Sequence, residues 1–394
     1  MTQPLQVLVL GVSGQVGHAL TALDGKLLRP TEGMEGTEAN GATGAQRVAL
    51  AQCHADGVHT RKLDGLTRRE ADLASPLFAE QLRTALATHN PTHVINAAAY
   101  TAVDRAEVEP ELAHVINATA VETLGQVCKA AGVPVIHLST DYVFDGRKPV
   151  GQAYTPDDAV SPQCVYGRTK AEGEVRLMAA TQGHPALIFR TSWVFSAHGS
   201  NFVKTMLALA EQRDELRVVN DQHGAPTSAE WIAQSLLQVC AQWPAAGNAG
   251  PALTGPALRG IFHLTAGGET TWHAFAQHLL AEARALAPSR PWRIQSNNQV
   301  LAVSTAAYEQ GMRASGRNTP MAPRPINSVL DNSSTIDTFR LGDPLEPSSA
   351  VAAKPGEQRL PDGDALVIPI VVEGRPDWAS QLRPVLQTLL ISTA

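Results

Sequence analysis

The chain has 394 residues, of which 44% are hydrophobic, with a net charge of −6 and four cysteines. That length holds two domains, or one large α/β domain with insertions, and its apolar content supplies a core without disulfides. The acidic balance argues against nucleic acid or an anionic membrane as main partner; Cys53, Cys128, Cys164 and Cys240 lack metal-ligand spacing and fit a reducing compartment; no segment reaches the roughly 20 apolar residues of a membrane helix.

The apolar run 5–12 has no cationic leader and ends in a glycine turn. It reads as a buried strand over Gln6–Leu10, and a soluble cytoplasmic protein is expected. Gly11, Gly14 and Gly17 follow at G-x-x-G-x-x-G spacing. The first lets the chain turn tightly, the second lets backbone approach a pyrophosphate, and the third lets helix and strand pack closely. The helix that begins there offers free N–H groups to phosphate. Residues 31–45, rich in Gly, Thr, Glu and Ala without periodicity, read as an inserted loop. A second strand is expected over 47–51. It ends at Gln52 with no acid for a ribose 2′-hydroxyl, while Arg61 and Lys62 lie a little later and suit a 2′-phosphate. This favours NADPH, with NADH as the alternative.

Further strands are expected over 93–97, 133–138 and 186–189. A helix over 111–131 places Leu112, Val115, Ile116, Leu124, Val127 and Cys128 on one face. Strands alternating with helices imply an α/β fold: a Rossmann-like, doubly wound parallel sheet covered on both sides. The small residues of Asn96-Ala-Ala-Ala-Tyr100-Thr101 let a cofactor pass close to backbone, and Asp104 and Glu107 read as helix-start residues. Ser139-Thr140 closes a strand, at the edge where such sheets bind ligands. Tyr166 and Lys170, four apart, share one face of a helix. An ammonium beside a phenol stabilises the phenolate and lowers its pKa from about 10. The phenol then protonates the oxygen that becomes alkoxide-like as hydride arrives, and the Thr140 hydroxyl holds that oxygen. A glycine cradle, a hydroxyl and a Tyr/Lys pair, in that order, suit a ketone reductase with a nicotinamide cofactor.

Beyond residue 191 the pattern changes. Strands at 216–219 and 261–264 and helices at 202–213, 228–243 and 271–287 suggest a smaller C-terminal lobe that forms a cleft with the first. The expected division is 1–191, a dinucleotide-binding domain with an insertion about 24–46, and 192–394, mainly a substrate-binding lobe with insertions about 313–323 and 341–365. Residues 314–361, rich in Pro, Ser, Gly and Asp, read as loop.

These residues resemble the extended short-chain dehydrogenase/reductases, and more closely the dTDP-4-dehydrorhamnose reductases. The segments that carry the resemblance are GVSGQVG at 11–17, NAAAYTAVDRAEVEPELA at 96–113, HLSTDYVFDG at 137–146 and VYGRTKAEGE at 165–174. FRTSWVFSAHGSNFVKTML at 189–207, VVNDQHGAPTSAEWIA at 218–233, FHLTAGGETTWHAFA at 262–276, RPINSVLD at 324–331 and RPDWASQL at 375–382 extend it. The resemblance implies Thr140, Tyr166 and Lys170 as the catalytic trio. It implies cofactor contacts from Gly14, Gln15, Val16, Asp72, Leu73, Ala99, Tyr100 and Thr101. It implies sugar contacts from Thr140, Asp141 and Trp193, whose indole packs on a deoxysugar while its N–H donates. Arg324 is a candidate clamp for the diphosphate, since guanidinium matches phosphate in a fork; the segment 324–331 is therefore an exception to the loop reading. Asn201, Lys204 and the loop 220–227 are further candidates. Some members of the family dimerise around Mg²⁺ held by glutamates. One such position is Ala19 here, although Glu230 matches another, so no metal site is expected and both monomer and homodimer stay open.

The implied activity is NADPH- or NADH-dependent reduction of dTDP-4-dehydro-β-L-rhamnose to dTDP-β-L-rhamnose. Three alternatives use similar residues: a reductase of another dTDP-4-keto-6-deoxy sugar, a sugar-nucleotide epimerase or dehydratase, and a non-catalytic cofactor-binding subunit like the β subunit of methionine adenosyltransferase.

Overall fold

The computed structural model describes residues 5–23, 61–243, 259–316, 320–341 and 376–391. The loop expected at 31–45, the strand expected at 47–51 and the addition at 342–365 lie outside the described residues.

Six strands form one all-parallel sheet: β1 (Leu5–Leu10), β2 (Arg61–Leu66), β3 (His93–Asn96), β4 (Val135–Thr140), β5 (Ala186–Thr191) and β6 (Arg259–His263). Their order across the sheet is β6-β5-β4-β3-β1-β2. Direction reverses beside β1, so the C-terminal ends of β1 and β3 flank the crevice where an open sheet binds ligands. The near-continuous apolar runs of β1 and β5 suit strands covered on both faces. One core includes Leu8, Leu82, Leu124, Val135 and Leu177; the other includes Val9, Leu20, Leu187, Ile232 and Phe339.

The second strand differs from the sequence expectation: beside β1 lies Arg61–Leu66, not 47–51. The long insertion separates the glycine loop from its neighbouring strand, so counting residues from the loop reached the wrong segment. The helix expected over 111–131 is present but interrupted. Pro110–His114 is α-helical, Val115–Thr119 makes a π-turn, and Ala120–Ala131 resumes the α-helix. The wider turn rotates the first segment's face relative to the second. Leu112 and Val115, expected to be buried, are therefore 40% and 37% exposed, while Leu124 and Cys128 are buried.

After β5 the chain builds a second lobe. Its core gathers Val203, Leu207, Phe275, Leu279, Leu382 and Leu386 from helices Phe202–Gln212, Trp272–Leu286 and Trp378–Leu390. Strands Leu216–Val219 and Val300–Val303 pair in parallel beside them. Two elements that the sequence placed in this lobe return to the first. Helix Ala229–Gln242, capped by Ser228 accepting from the Trp231 N–H, packs against helix Gln15–Thr21, and β6 extends the sheet beside β5. Residues 320–341 then run back between the lobes, bridging Tyr154 to Leu330 and His223 to Asn327.

Candidate active site

Gly11 leaves β1 with φ +84°, and a Cβ there would lie 2.7 Å from Ala98 backbone on the loop after β3. A Cβ on Gly17 would overlap the Gly11 carbonyl. Both positions thus require glycine for close approach of loop, strand and helix. The Gly14 end of the helix carries no side-chain cap. Gln15 holds this loop to the second lobe, its amide reaching the Val194 carbonyl and its Oε1 accepting from Asn201 Nδ2 at 2.9 Å. Val16 is in the core, so its backbone rather than its side chain faces the crevice. Leu73 is likewise core, and Asp72 Oδ1 accepts from the Ala74 N–H. Ala99, Tyr100 and Thr101 follow β3. Asn117 of the π-turn grips Tyr100 backbone on both sides, and the Tyr100 hydroxyl donates to Glu109 at 2.6 Å.

The backbone of Arg61 and Lys62 pairs with Leu5 and Gln6, at the start of β2 and away from the glycine loop. The cations that follow the C-terminal end of β2 are Arg68 and Arg69, both exposed in a turn where Glu70 accepts from the Thr67 N–H and hydroxyl. Sequence reasoning missed them because it placed the strand too early.

β4 delivers Thr140 to the crevice and continues into the turn Asp141–Val143. Cys164, whose Sγ accepts from the Gly167 N–H, starts helix Val165–Ala180, which carries Tyr166 in its first turn and Lys170 in the next. All three side chains of the expected trio are buried and converge. The Tyr166 hydroxyl hydrogen-bonds Thr140, whose Oγ in turn donates to Asp141 Oδ1 at 2.9 Å. Burial raises the Tyr166 phenol well above its ordinary value, opposed by the Thr140 contact and reinforced by Asp141. That corrects the expectation of a phenol lowered by Lys170. Lys170 Nζ spends its bonds elsewhere, donating to the Leu138 carbonyl at 2.7 Å and meeting His137 Nε2 at 3.0 Å. Burial lowers the Lys170 amine to about 8, partly offset by Glu174. Asp141 is pushed up to about 7 by burial, its Oδ1 relieved by Thr140. The site therefore holds a phenol with its proton on and a carboxyl that titrates near neutrality.

Behind the trio, Glu174 accepts from Arg190 Nε at 2.9 Å, from Arg190 Nη2 at 2.7 Å and from Ser139 Oγ at 2.5 Å. This bidentate pair is sealed in the core and ties the helix to β4 and β5; the guanidinium also lies over the Phe144 ring.

Beside Tyr142 a cavity of about 280 Å³ opens between the lobes, lined by Trp193, Gln222, Trp272, Arg324 and Pro325. Trp193 sits at φ +48°, stacked on Trp272 with ring centroids 3.5 Å apart. Its Nε1 donates to Ser328 Oγ, so the N–H expected to face a sugar is used within the protein and the indole presents only its surface. Arg324 reaches the cavity while held by Asp104 at 2.7 Å. Asp104 is thus the arginine's partner as well as a helix-start residue. Trp272 and Tyr142 were not singled out as site residues from sequence, while Gln222 belongs to the candidate loop 220–227. The stack on Trp193 gives Trp272 its place. Of the further candidates, Asn201 caps helix Phe202–Gln212 through Lys204 N–H, and Gln222 Nε2 donates to Thr305.

Glu230 is half-buried, accepts from Ser196 Oγ and is raised by desolvation, while Ala19 lies in the core. Among the described residues no group of three or more His, Cys, Asp or Glu is placed to hold a metal.

The family model described as the RmlD substrate binding domain matches residues 5–345. The dTDP-4-dehydrorhamnose reductase of Salmonella typhimurium is 43% identical over 251 residues, covering 64% of this chain and 75% of that one. The chain belongs to the dTDP-4-dehydrorhamnose reductase family. Another member, from Burkholderia thailandensis, is 39% identical over 274 residues, 70% of this chain and 84% of that one. The crystal structure of a dTDP-4-dehydrorhamnose reductase from Clostridium acetobutylicum superposes with a TM-score of 0.65 at 25% identity, covering 98% of this chain and 99% of that one. The Bacillus anthracis reductase, solved in complex with NADP, shares the fold with a TM-score of 0.63 at 23% identity over 97% of this chain and 99% of that one.

Proposed function

We propose that this protein reduces the C4 ketone of dTDP-4-dehydro-β-L-rhamnose to give dTDP-β-L-rhamnose, with NADPH as hydride donor and NADH as the alternative. The observation that carries the reading is the convergence of Thr140, Tyr166 and Lys170 at the C-terminal edge of the sheet, between the glycine loop and the cavity of Trp193 and Arg324. The family relatives, named for this activity, support it.

The residues fit a dinucleotide. Glycine at 11 and 17 lets loop, strand and helix close into the tight turn that brings backbone to a pyrophosphate, and Arg68 and Arg69 stand at the end of β2, from which a 2′-phosphate is reached. Gly11, Gly14, Gln15 and the backbone of Val16 and Gly17 would hold the pyrophosphate; the backbone of Ala99, Tyr100 and Thr101 would line the nicotinamide half; Asp72 and Leu73 would border the adenine. When bound, the cofactor supplies the hydride. Tyr166, protonated by its surroundings, gives its proton to the sugar O4 as charge develops there. Thr140 holds that oxygen, with Asp141 behind it fixing the hydroxyl. Lys170 fixes the ribose and stabilises the phenolate left on Tyr166. The stacked Trp193–Trp272 pair gives an apolar wall to the deoxysugar, and Arg324, aimed by Asp104, clamps the diphosphate. Catalysis here is position and electrostatics. We read the protein as a cytoplasmic monomer or homodimer that needs no metal. No described helix is long and apolar enough to cross a membrane.

The test is NADPH and NADH oxidation with enzymatically generated dTDP-4-dehydrorhamnose, followed by NMR of the product. Turnover to the L-rhamnose product supports the reading. A protein that binds cofactor but oxidises neither with this sugar acts on another keto sugar or serves as a binding subunit.

A further inference from the structure

Lys170 has a buried partner that the reaction above does not use. His137, on β4, is fully buried, with Nε2 3.0 Å from Lys170 Nζ and Nδ1 3.0 Å from Asn96 Nδ2. Which ring nitrogen carries the proton follows from donor and acceptor direction. Asn96 Oδ1 accepts from the Ala98 N–H at 3.0 Å, which fixes the amide so that its Nδ2, a donor, faces His137. His137 Nδ1 must then be the acceptor and the ring proton must sit on Nε2. That N–H points at Lys170 Nζ. An ammonium has three donors and no acceptor, so it would meet the ring donor to donor; a neutral amine has the lone pair that accepts it. Turning the amide over would set Asn96 Nδ2 against the Ala98 N–H, moving the conflict without removing it.

We propose that, in mildly alkaline solution, Asn96 and His137 hold Lys170 as a neutral amine in the cofactor-free enzyme, so that there the ammonium used in the reaction forms by proton uptake from solvent when the anionic dinucleotide binds. The step is a simple addition: the Nζ lone pair takes one proton from buffer as the cofactor phosphates and ribose oxygens enter the crevice. Of the other groups around Lys170, only Glu174 offers a counter-charge, and it offsets the effect of burial only in part. Tyr166, on the same helix, keeps its phenol proton, and Glu174, one turn on, is already engaged by Arg190 of β5 and Ser139 of β4. Asp141, beyond the end of β4, is a carboxyl that burial drives toward its neutral form, and Asn117, from the π-turn, is uncharged and bonded to Thr169. Burial disfavours charge on both members of the contact: His137 is held well below its ordinary value and Lys170 falls to about 8. His137 is a positioning residue. Fully buried, it acts through Lys170.

This inference rests on the cofactor reading above, and one titration separates the two. NADPH is titrated calorimetrically into the full-length protein at about pH 8.5 in buffers of different ionisation enthalpy, which reports protons taken up per cofactor bound. We expect roughly half to one proton, falling toward zero near pH 7, where a free amine with a value of about 8 is already charged. In His137→Gln the side-chain oxygen accepts from an ammonium, so Lys170 is charged beforehand and uptake at pH 8.5 drops at least threefold while NADPH still binds. Binding without uptake in the wild type, or unchanged uptake in His137→Gln, overturns the proposal and leaves the reductase reading standing. No NADPH binding at all overturns both. Should His137→Gln fail to fold, the ¹⁵N shifts of the wild-type imidazole decide: a bare Nδ1 agrees, a protonated Nδ1 overturns.

Discussion

Glu174→Gln removes one charge from the sealed pair behind the catalytic helix. Both partners are only 2–3% exposed, and the carboxylate accepts three bonds, two from Arg190 and one from Ser139. The amide keeps the shape and one acceptor oxygen, but it leaves the guanidinium without its counter-ion in the core. Removing one partner of such a pair costs about 3–5 kcal/mol. The retained oxygen places this substitution at the lower end, about 3 kcal/mol, or a Tm lower by roughly 4 °C for a chain of 394 residues. Scanning calorimetry at pH 7 reads it directly. The double variant Glu174→Leu/Arg190→Met, which removes both charges, should recover most of the loss, because an apolar pair of similar volume carries no desolvation cost. A Glu174→Gln protein within 1 kcal/mol of wild type, or a double variant no better than the single, would refute the argument that the core charge is held by its partner.

Tyr166→Phe should lower single-turnover NADPH oxidation by about 10²-fold or more while NADPH affinity, followed by its fluorescence, stays within a few-fold; near-wild-type turnover would remove Tyr166 as proton donor. Asp141 is raised from 3.8 to about 7. Its folded form resists ionisation, so its contribution to stability is intact below about pH 4, is lost progressively as pH rises to about 7, and is constant above. Asp141→Asn should therefore gain stability over wild type across that window, by at most about 4 kcal/mol at pH 7.5 in urea titrations; a pH-independent difference would contradict it. Arg324→Ala should raise the KM for the sugar nucleotide about tenfold or more with a smaller change in kcat, as expected for lost charge-assisted contacts to a diphosphate. Equal KM values would place the phosphates elsewhere.

Much of this architecture was legible because it is local. The apolar runs that became β1, β3, β4 and β5 are bounded by turn residues, and Tyr166 and Lys170 sit on one helix at a spacing that fixes their common face. What escaped depends on distant partners. Nothing within the chain near residue 61 says that it pairs with Leu5, because the pairing spans the insertion. The π-turn at Val115–Thr119 has no composition of its own, so a regular 3.6 period was assumed across it. Trp193 was found by likeness, but its stack on Trp272 and its bond to Ser328 join segments about 80 and 135 residues apart. The phenol's raised pKa followed from burial, which a Y-x-x-x-K motif does not report.

The path of the chain after residue 191 has a practical consequence. It leaves the sheet, builds part of the second lobe, returns to supply helix Ala229–Gln242 and the edge strand β6, departs again, and comes back between the lobes as residues 320–341. A truncation near 191 would expose β5 as a bare edge and strip the cover from helix Gln15–Thr21. The two halves are therefore interleaved rather than tethered. Gene-level dissection into a nucleotide-binding piece and a sugar-binding piece would give two unfolded fragments, and heat should melt the intact protein in one cooperative step.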